Sequence, residues 1–192
     1  MTVTLLLLCG SLRAGSVNEA VLRTVQAVAP EGVATSLYDG MGRLPHFNPD
    51  DDGAGLDDEV VALRGALGAA DAVLICTPEY AGALPGAFKN LLDWTVGGAE
   101  MDRRPVAWIN ASGPAAPTGG ADAHDSLRKV LGYVHADVVE EACARIPVTR
   151  DAVGPDGTVT DPELRARIAE TVAALVRHVD ARRGRDLESP SG

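Results

Sequence analysis

Five segments of the chain predict the strands of one buried β-sheet. The first, Thr2–Leu8, is a continuous apolar run, as a strand covered on both faces requires. Ala72–Thr77 has the same character. The other three predicted strands are Val33–Tyr38, Pro105–Asn110 and Asp137–Ala142. Helical patterns separate these segments, and that alternation decides the fold class.

Each helical pattern presents one apolar face. Ser16 and Glu19 form the S-x-x-E capping box of a first helix. Its apolar stripe comprises Val21, Leu22, Val25, Val28 and Ala29. Three more helices are predicted over Leu56–Ala69, Gly86–Thr95 and Asp122–Val134. Asp161 caps a final helix that begins with Pro162, because proline suits the first helical position.

Strands that alternate with helices form a parallel sheet with helices on both faces. Right-handed crossovers restrict the topology, and the common five-stranded solution has the strand order 2-1-3-4-5. We therefore predict a doubly wound α/β fold. One domain over residues 1–183 accounts for all of the predicted elements, and residues 184–192 are predicted to form a disordered tail.

The predicted strand order also predicts where a ligand binds. Strands one and three are neighbours at the point where the winding of the sheet reverses, and ligands bind outside the carboxyl ends of the strands there. The two most unusual loops of the chain follow these strands. We call Gly10–Asn18 the first loop and Thr77–Pro85 the second loop, and we predict a ligand site between them.

The first loop combines the donors that suit a phosphate group. It holds the hydroxyls of Ser11 and Ser16, the amide of Asn18 and the guanidinium of Arg13 at a helix N-terminus, where N–H groups favour an anion. The loop matches neither the G-x-G-x-x-G dinucleotide fingerprint nor the P-loop of ATPases. In the alternative interpretation, Ser16 is only a helix cap and Arg13 is only a solvated surface residue.

The second loop has the composition of a wall for a flat heterocycle. Two prolines and two glycines constrain the backbone of Thr77–Asn90. A heterocycle needs backbone N–H groups near its polar edge and an apolar or aromatic surface at its face. Glu79, Tyr80 and Ala81 are placed to supply both. In the alternative interpretation, this is an ordinary strand-to-helix turn with Tyr80 as a half-buried surface aromatic.

The composition of the chain limits the binding partners and the cellular compartment that we expect. The 192 residues are 46% hydrophobic and carry a formal net charge of −10, which disfavours nucleic acid or an anionic membrane as a partner. No apolar run reaches the roughly 18 residues of a membrane span. Thr2–Leu8 lacks the flanking features of a signal peptide. The three cysteines form no disulfide or zinc pattern, so a cytoplasmic protein is expected.

Three motifs resemble those of the NAD(P)H-dependent FMN reductase family, a flavodoxin-like family that includes quinone, azo and chromate reductases. The first loop reads GSLRAGSVN and resembles the family's phosphate loop, G-S-x-R-x-x-S-x-N. The segment around the second loop reads TPEYAGALPGAFKNLLDW and resembles the family's P-E-Y-N-x-x-x-P-G-x-L-K-N-x-x-D-W pattern. The run LPHFNPD resembles the family's loop after strand two. The motifs occur in the right order between about Thr2 and Val139.

The resemblance implies a non-covalently bound FMN. The phosphate would be held by Ser11, Arg13, Ser16, Val17 and Asn18. The isoalloxazine would be lined by Pro78, Glu79, Tyr80 and Ala81, with Ser112 and Gly113 on its other side. Where the family has Asn in P-E-Y-N, this chain has Ala81, which keeps a backbone contact but loses a side-chain hydrogen bond.

The resemblance also implies a reaction. NADPH or NADH would reduce the flavin, and the electrons would pass to a small acceptor such as a flavin, a quinone, an azo compound or a metal oxyanion. We assign no catalytic side chain and no metal. A homodimer, or a tetramer of two dimers, is implied. The alternative is an FMN-binding electron carrier of the flavodoxin type; the acidity of the chain favours it, whereas Arg13 in the first loop argues against it.

Three further signals receive a structural interpretation. The segment Asn48–Asp52 departs from a calcium-binding loop at its first position, which requires Asp. His124, near the predicted site, is interpreted as a surface residue of its helix. Cys9 and Cys76 end neighbouring predicted strands and are interpreted as small buried hydrophobes.

Overall fold

The computed structural model describes residues 2–188, along which strands and helices alternate as the pattern predicts. The strands are β1 (Val3–Cys9), β2 (Val33–Leu37), β3 (Ala72–Cys76), β4 (Pro105–Asn110), β5 (Asp137–Val138) and β6 (Ala144–Arg145). The α-helices are α1 (Val17–Val28), α2 (Asp58–Ala69), α3 (Gly86–Asp93), α4 (Ala121–Tyr133) and α5 (Pro162–Glu188). Most predicted bounds agree with these to within one or two residues.

The strands form a parallel sheet in the order β2-β1-β3-β4-β5, with β6 also paired to β4. This confirms the predicted doubly wound topology. Leu5 in β1 pairs with Thr35 of β2 on one side and with Ala72 of β3 on the other. Cys9 and Cys76 are register partners at the ends of their strands. The first and second loops therefore begin side by side.

The fifth predicted strand, Asp137–Ala142, is wrong in detail because the chain bends within it. A single 3-10 turn, Glu140–Ala142, separates β5 from β6. The N–H of Ala142 donates to the carbonyl of Val139 at 2.9 Å, so this part of the backbone bonds to itself and not to β4. β5 pairs with the first half of β4 and β6 with the second half.

Successive residues of β1 pack on opposite faces of the sheet, as alternation along a strand requires. Leu5 and Leu7 belong to a core cluster that includes α1 and α5 residues. Leu6 and Leu8 belong to a second cluster with residues of α2, α3 and α4. All four leucines are almost completely buried. The sheet therefore has an apolar core on each face, which fixes its carboxyl edge and the loops that follow it.

The last helix is longer than its apolar stripe predicts. Ile168, Val172 and Leu175 are buried against the sheet, as predicted. The helix then continues to Glu188, so the tail that was expected from residue 184 differs from the structure over residues 184–188. Residues 189–192 lie outside the described part of the chain. Within that part, no helix is both long enough and apolar enough to cross a membrane.

Candidate functional site

The first and second loops touch where β1 and β3 end. The N–H of Gly10 donates to the carbonyl of Cys76 at 2.9 Å, which extends the strand pairing by one residue. Position 10 requires glycine, because a Cβ there would lie 2.1 Å from Oγ1 of Thr77, a buried residue. The two loops therefore pack directly against each other and form the base of a crevice at this edge of the sheet.

Ser16 caps α1 and fixes the end of the first loop. Its Oγ accepts the N–H of Glu19 at 3.0 Å, as predicted. Only half of the capping box forms, because the Glu19 carboxylate pairs with Arg23 at 2.7 Å instead of reaching back to Ser16. The N–H of Ser16 donates to the carbonyl of Arg13 at 3.2 Å. The cap uses Ser16 Oγ only as an acceptor, so the hydroxyl proton can turn towards a ligand or towards Sγ of Cys9, which lies 3.9 Å away.

The first turn of α1 offers donors to the crevice. The opening N–H groups of a helix have no acceptor within the helix. Ser16 satisfies that of Glu19, which leaves those of Val17 and Asn18 for a ligand. Burial raises the pKa of the Cys76 thiol, so the thiol stays protonated and donates to Oδ1 of Asn18 at 3.3 Å. This bond directs the Asn18 amino group away from Cys76 and keeps it available as a donor.

Arg13 lies at the exposed end of the first loop. Its N–H donates to Oγ of Ser11 at 3.2 Å, which shapes the loop locally. Both residues line a cavity of about 260 Å³ that also contacts Tyr38, after β2. Arg13 thus lies on the side of the crevice that faces β2. There its side chain is accessible to a ligand at the N-terminus of α1.

The second loop turns back through a tight reversal between Tyr80 and Ala83. Each of these two residues donates its N–H to the carbonyl of the other, at 3.0 and 3.1 Å. The two residues between them have left-handed backbones, with φ of 52° at Ala81 and 70° at Gly82. Tyr80 is 53% exposed. A two-residue turn of this kind strongly favours Asn-Gly, so Ala81 sits at a position that asparagine would occupy with less strain.

Glu79 ties the second loop to the loop that follows β4. Its carboxylate accepts the hydroxyl of Thr118 at 2.6 Å and the N–H of Ala123 at 3.2 Å. The bond from Thr118 is the main cause that lowers the pKa of the Glu79 carboxyl. Gly120 precedes α4 and has no side chain to cap it. Glu79 therefore caps α4 from another loop, a role that the sequence analysis missed.

The loop after β4 is also held by Asn110, the last residue of that strand. Asn110 donates to the carbonyl of Gly119 at 2.8 Å and accepts the N–H of Ser112 at 3.0 Å. Gly120 has φ 82°, and a Cβ there would lie 2.4 Å from Oγ of Ser112. These contacts fold residues 111–120 over the crevice and bring Ser112 towards the first two loops.

The three loops line one cavity of about 280 Å³, which we call the crevice cavity. Its lining contains six of the predicted site residues, namely Val17, Asn18, Pro78, Glu79, Ser112 and Gly113. Ser11 and Arg13 line the neighbouring cavity instead. Ser16 is almost completely buried under α1, and Tyr80 and Ala81 lie in the exposed turn. The structure thus gathers the predicted residues at one edge without placing all of them around one space.

The crevice cavity also has lining residues that the sequence analysis missed. They are Ala111, Ala116, Pro117 and Val148. Val148 follows β6, and its N–H donates to the carbonyl of Ala111 at 3.2 Å. The small-residue composition of the loop after β4 is the one signal that could have indicated the first three. Nothing in the sequence around Val148 indicates that it reaches the site.

His124 is buried, and its interpretation as a surface residue is wrong. Only 7% of it is exposed, because the first turns of α4 pack over Trp108, whose ring centroid is 5.9 Å from that of His124. Burial lowers the pKa of the imidazole, so the ring is neutral. Since a carbonyl only accepts, Nδ1 donates to the Gly120 carbonyl at 2.7 Å. This bond adds to the contacts that fix the start of α4.

The sheet order defines a flavodoxin-like α/β protein, and the crevice cavity lies at its topological switch point. Residues 3–148 match the sequence model of the NADPH-dependent FMN reductases. The chain belongs to that family. Over residues 2–188, no group of three or more His, Cys, Asp or Glu side chains is arranged to hold a metal ion.

Individual relatives support this assignment over most of the chain. An NAD(P)H-dependent FMN reductase of Pseudomonas aeruginosa is 32% identical over 177 residues, which cover 91% of this chain and 94% of that protein. A quinone reductase of Escherichia coli is 31% identical over 159 residues, or 80% of this chain and 83% of its own. The structure of a flavoenzyme NAD(P)H:(acceptor) oxidoreductase from Paracoccus denitrificans has a TM-score of 0.81 at 30% identity, covering 94% of this chain and 98% of that one.

Proposed function

We propose that the protein is an FMN-dependent NAD(P)H oxidoreductase that passes electrons to a small acceptor, with a flavin or a quinone as the first choice. The observation that carries this proposal is the crevice cavity, where α1 donors, the second loop and the loop after β4 meet. The names of the relatives, which include FMN reductase and quinone reductase, support the same acceptor classes.

The donor set of the first loop fits a terminal phosphate. The N–H groups of Val17 and Asn18, the Ser16 hydroxyl and the Asn18 amino group all converge at the N-terminus of α1. Ser11 and Arg13 would close this group on the side of β2, with Arg13 supplying the charge. A dianionic phosphate monoester accepts all of these bonds, whereas a neutral ligand would leave several donors unpaired.

The other end of the crevice fits a flat ring. Pro78, Ser112 and Gly113 supply backbone and small side chains around the cavity. Glu79 is the one titratable residue among those that line it, and its carboxylate is occupied by Thr118 and Ala123. The chain therefore supplies position, hydrogen bonds and a shaped wall but no acid or base. When bound, FMN supplies the redox chemistry, taking a hydride from NADPH or NADH and releasing electrons to the acceptor.

A second candidate function is an FMN-binding electron carrier that is reduced by another protein. The net charge of −10 favours it, because an acidic surface docks readily on a basic partner. Both functions use the same cofactor site. They differ in whether a nicotinamide nucleotide can reduce the bound flavin directly.

Anaerobic reduction distinguishes the two functions. The purified protein is expected to be yellow, with FMN released on denaturation, and NADPH or NADH should bleach it rapidly. Steady-state assays with flavin, quinone and azo acceptors then rank the substrates. A yellow protein that neither nucleotide reduces would contradict the oxidoreductase and favour the carrier. A protein that binds no FMN on titration would contradict both.

We also propose that the protein works in the cytoplasm as a homodimer or a tetramer of two dimers. The three cysteines are free, which suits a reducing compartment. The assembly is the one implied by the family resemblance. Sedimentation of the FMN-loaded protein tests it, and a monomer at micromolar concentration would contradict it.

A further inference from the structure

Two cysteine thiols lie side by side on the sheet where β1 and β3 end. Cys9 and Cys76 are register partners in the parallel pairing of these strands. Both contact the core cluster that includes α1 and α5 residues, so their side chains point to the same face of the sheet. Neighbouring strands lie about 4.8 Å apart, and a disulfide joins Cα atoms that are roughly 4.4–6.8 Å apart. The strands therefore hold the two cysteines at a separation that a disulfide can span.

The two thiols differ in their access to solvent. Cys9 is half-buried and lines the cavity of about 260 Å³ that Ser11 and Arg13 also line. Cys76 is completely buried on the neighbouring strand. A small oxidant can therefore reach Cys9 from the cavity, whereas Cys76 reacts only after Cys9 has been oxidised. An accessible cysteine with a second cysteine beside it is typical of a redox-sensitive pair.

The third cysteine, Cys143, has no such neighbour. It follows the 3-10 turn Glu140–Ala142, and its thiol donates to the Val139 carbonyl at 3.4 Å. Because β4 lies between β3 and the β6 strand that Cys143 precedes, about two strand spacings separate this residue from Cys76. That separation is too long for a disulfide. Cys143 therefore serves as an internal control for the other two thiols.

Both thiols of the pair bond to the first loop. Cys9 Sγ donates to the carbonyl of Ser11 at 3.6 Å. Cys76 Sγ donates to Oδ1 of Asn18 at 3.3 Å. A thiol is a weak donor, but these two bonds reach both ends of the loop that carries the predicted phosphate ligands. The reduced state of the pair therefore helps to shape that loop.

We propose that Cys9 and Cys76 are a redox-sensitive pair that a peroxide converts into a disulfide. The Cys9 sulfur bonds to one oxygen of hydrogen peroxide as the O–O bond breaks, which gives a sulfenic acid and one water molecule. The Cys76 sulfur then bonds to the Cys9 sulfur as the S–O bond breaks, and the hydroxyl leaves with the Cys76 proton as a second water. The thiols lose two electrons and the peroxide gains them. A small dithiol reverses the reaction by exchange.

The disulfide changes the first loop, because its sulfur atoms carry no proton to donate. The bonds to the Ser11 carbonyl and to Asn18 Oδ1 are then lost together. The Asn18 amide is no longer oriented by Cys76, and the turn at Ser11 loses one of its contacts. A weaker hold on the FMN phosphate follows, and this consequence rests on the proposed function. The formation of the disulfide does not.

The environment of the pair makes its oxidation slow. Burial raises the pKa of both thiols, and the neighbouring Cys9 raises the pKa of Cys76 further. The thiolate is the reactive form of cysteine, and little of it is present at neutral pH when the pKa is raised. The pair therefore responds to sustained exposure to peroxide and stays reduced during a brief one.

Thiol mapping of the full-length protein tests the proposal. The purified protein is incubated with hydrogen peroxide in the dark, the remaining thiols are alkylated, and peptides are identified by mass spectrometry without reduction. We expect a cross-linked peptide pair that contains Cys9 and Cys76, and dithiothreitol should restore both thiols. If both residues are still alkylated after Cys143 has been oxidised, or if they form disulfides only between chains, the proposal is overturned.

Matched variants establish which thiol reacts first. Cys143→Ser should form the disulfide as the wild type does. Cys76→Ala removes the second thiol, so Cys9 should stop at the sulfenic acid, which a dimedone label detects. Cys9→Ser should leave Cys76 unreacted, because Cys76 is completely buried. Dimedone labelling of Cys76→Ala that is no stronger than that of Cys9→Ser would contradict the assigned role of Cys9.

FMN affinity gives a separate measurement of the effect on the first loop. By fluorescence titration, the oxidised wild type and oxidised Cys143→Ser should bind FMN at least about fivefold more weakly than their reduced forms. The affinity of Cys9→Ser should not change on peroxide treatment. A bridged protein that binds FMN as tightly as the reduced one would contradict the coupling to the loop. A protein that binds no FMN in either state would contradict the proposed function, whereas the cross-linked peptide is still measured.

Discussion

The two loops of the crevice are held by different kinds of contact. Between its two ends, which bond to Cys76, the first loop is shaped by bonds within itself, since Arg13 donates to Ser11 and Ser16 caps the helix three residues on. The second loop has a local turn, but its start is fixed by Glu79, whose partners lie 39 and 44 residues further along the chain. The difference suggests that the phosphate end of the site is built locally and the ring end is built by assembly of the fold.

This comparison predicts where a substitution acts on FMN and where it acts on the fold. A change in a ligand-facing group of the first loop should alter FMN affinity alone. A change where the loops touch should alter both affinity and stability. A change in the second loop should alter mainly the stability of the protein and the order of the part of the site that would hold the flavin ring.

The largest expected effect is on FMN affinity in Arg13→Ala. The variant loses a charge-assisted bond to the phosphate, which contributes about 1.5–3 kcal/mol, so the dissociation constant should rise roughly 10- to 150-fold. Because Arg13 is exposed, the melting temperature of the FMN-free protein should not change. Fluorescence titration with FMN measures the affinity. Arg150→Ala, an exposed arginine remote from the loop in sequence, is the control, and an affinity equal to that of this control removes Arg13 from the site.

The next effect is at the contact between the loops, in Gly10→Ala. The new Cβ would lie 2.1 Å from Oγ1 of Thr77 and 3.0 Å from its Cα, so the loops must move apart. Forcing a methyl group into a packed region costs about 1–3 kcal/mol. We expect a lower melting temperature together with weaker FMN binding.

Gly68→Ala is the control for Gly10→Ala, because it adds the same methyl group at a position with free space around it. Gly68 lies in α2 and a Cβ there meets nothing within 4 Å, so Gly68→Ala should raise stability by about 0.5–1 kcal/mol. Thermal unfolding of both variants gives the comparison. If Gly10→Ala is as stable as the wild type and binds FMN normally, the close approach of the loops has no role in the site.

The difference between local and long-range contacts also explains how much of the site could be predicted from the sequence. The cap at Ser16, the order of the strands and the meeting of the two loops follow from local patterns and sheet topology, and they are confirmed. The role of Glu79 could not be predicted, because it depends on the path that residues 111–120 take across the crevice. The burial of His124 has the same origin, since it depends on how α4 packs over Trp108. The break between β5 and β6 could not be read from an apolar pattern, because each of these strands is only two residues long.

A smaller effect is expected in the turn of the second loop. Ala81 has φ 52°, a left-handed backbone that costs an L-residue about 1–2 kcal/mol and that glycine or asparagine adopts more readily. Ala81→Gly and Ala81→Asn should therefore stabilise the protein by about 0.5–1 kcal/mol, after the entropy of glycine is subtracted. Ala83→Gly, in the same turn but without a positive φ, should destabilise it. Equal changes at both positions would show that backbone strain at Ala81 is not the cause.

Ala81→Asn also distinguishes an effect on the backbone of the turn from a side-chain bond to the flavin. If an asparagine side chain bonds the ring, this variant should bind FMN more tightly than Ala81→Gly does. Equal affinities in the two variants would confine the effect to the backbone.

The smallest effect is a pH dependence that comes from Glu79. Its carboxyl has a pKa below its ordinary value of 4.5, mainly because of the bond from Thr118. A lowered pKa in the folded state means that the carboxylate stabilises the fold above that ordinary value, and that this contribution is lost as the pH falls through the lowered pKa. The melting temperatures of the wild type and Glu79→Gln should therefore differ at pH 7 and converge on acidification below about pH 4.5. Glu31→Gln, at an exposed loop position, should show no such convergence. A difference between wild type and Glu79→Gln that stays constant down to pH 3 would mean that the shape of the side chain, and not its charge, joins the second loop to α4.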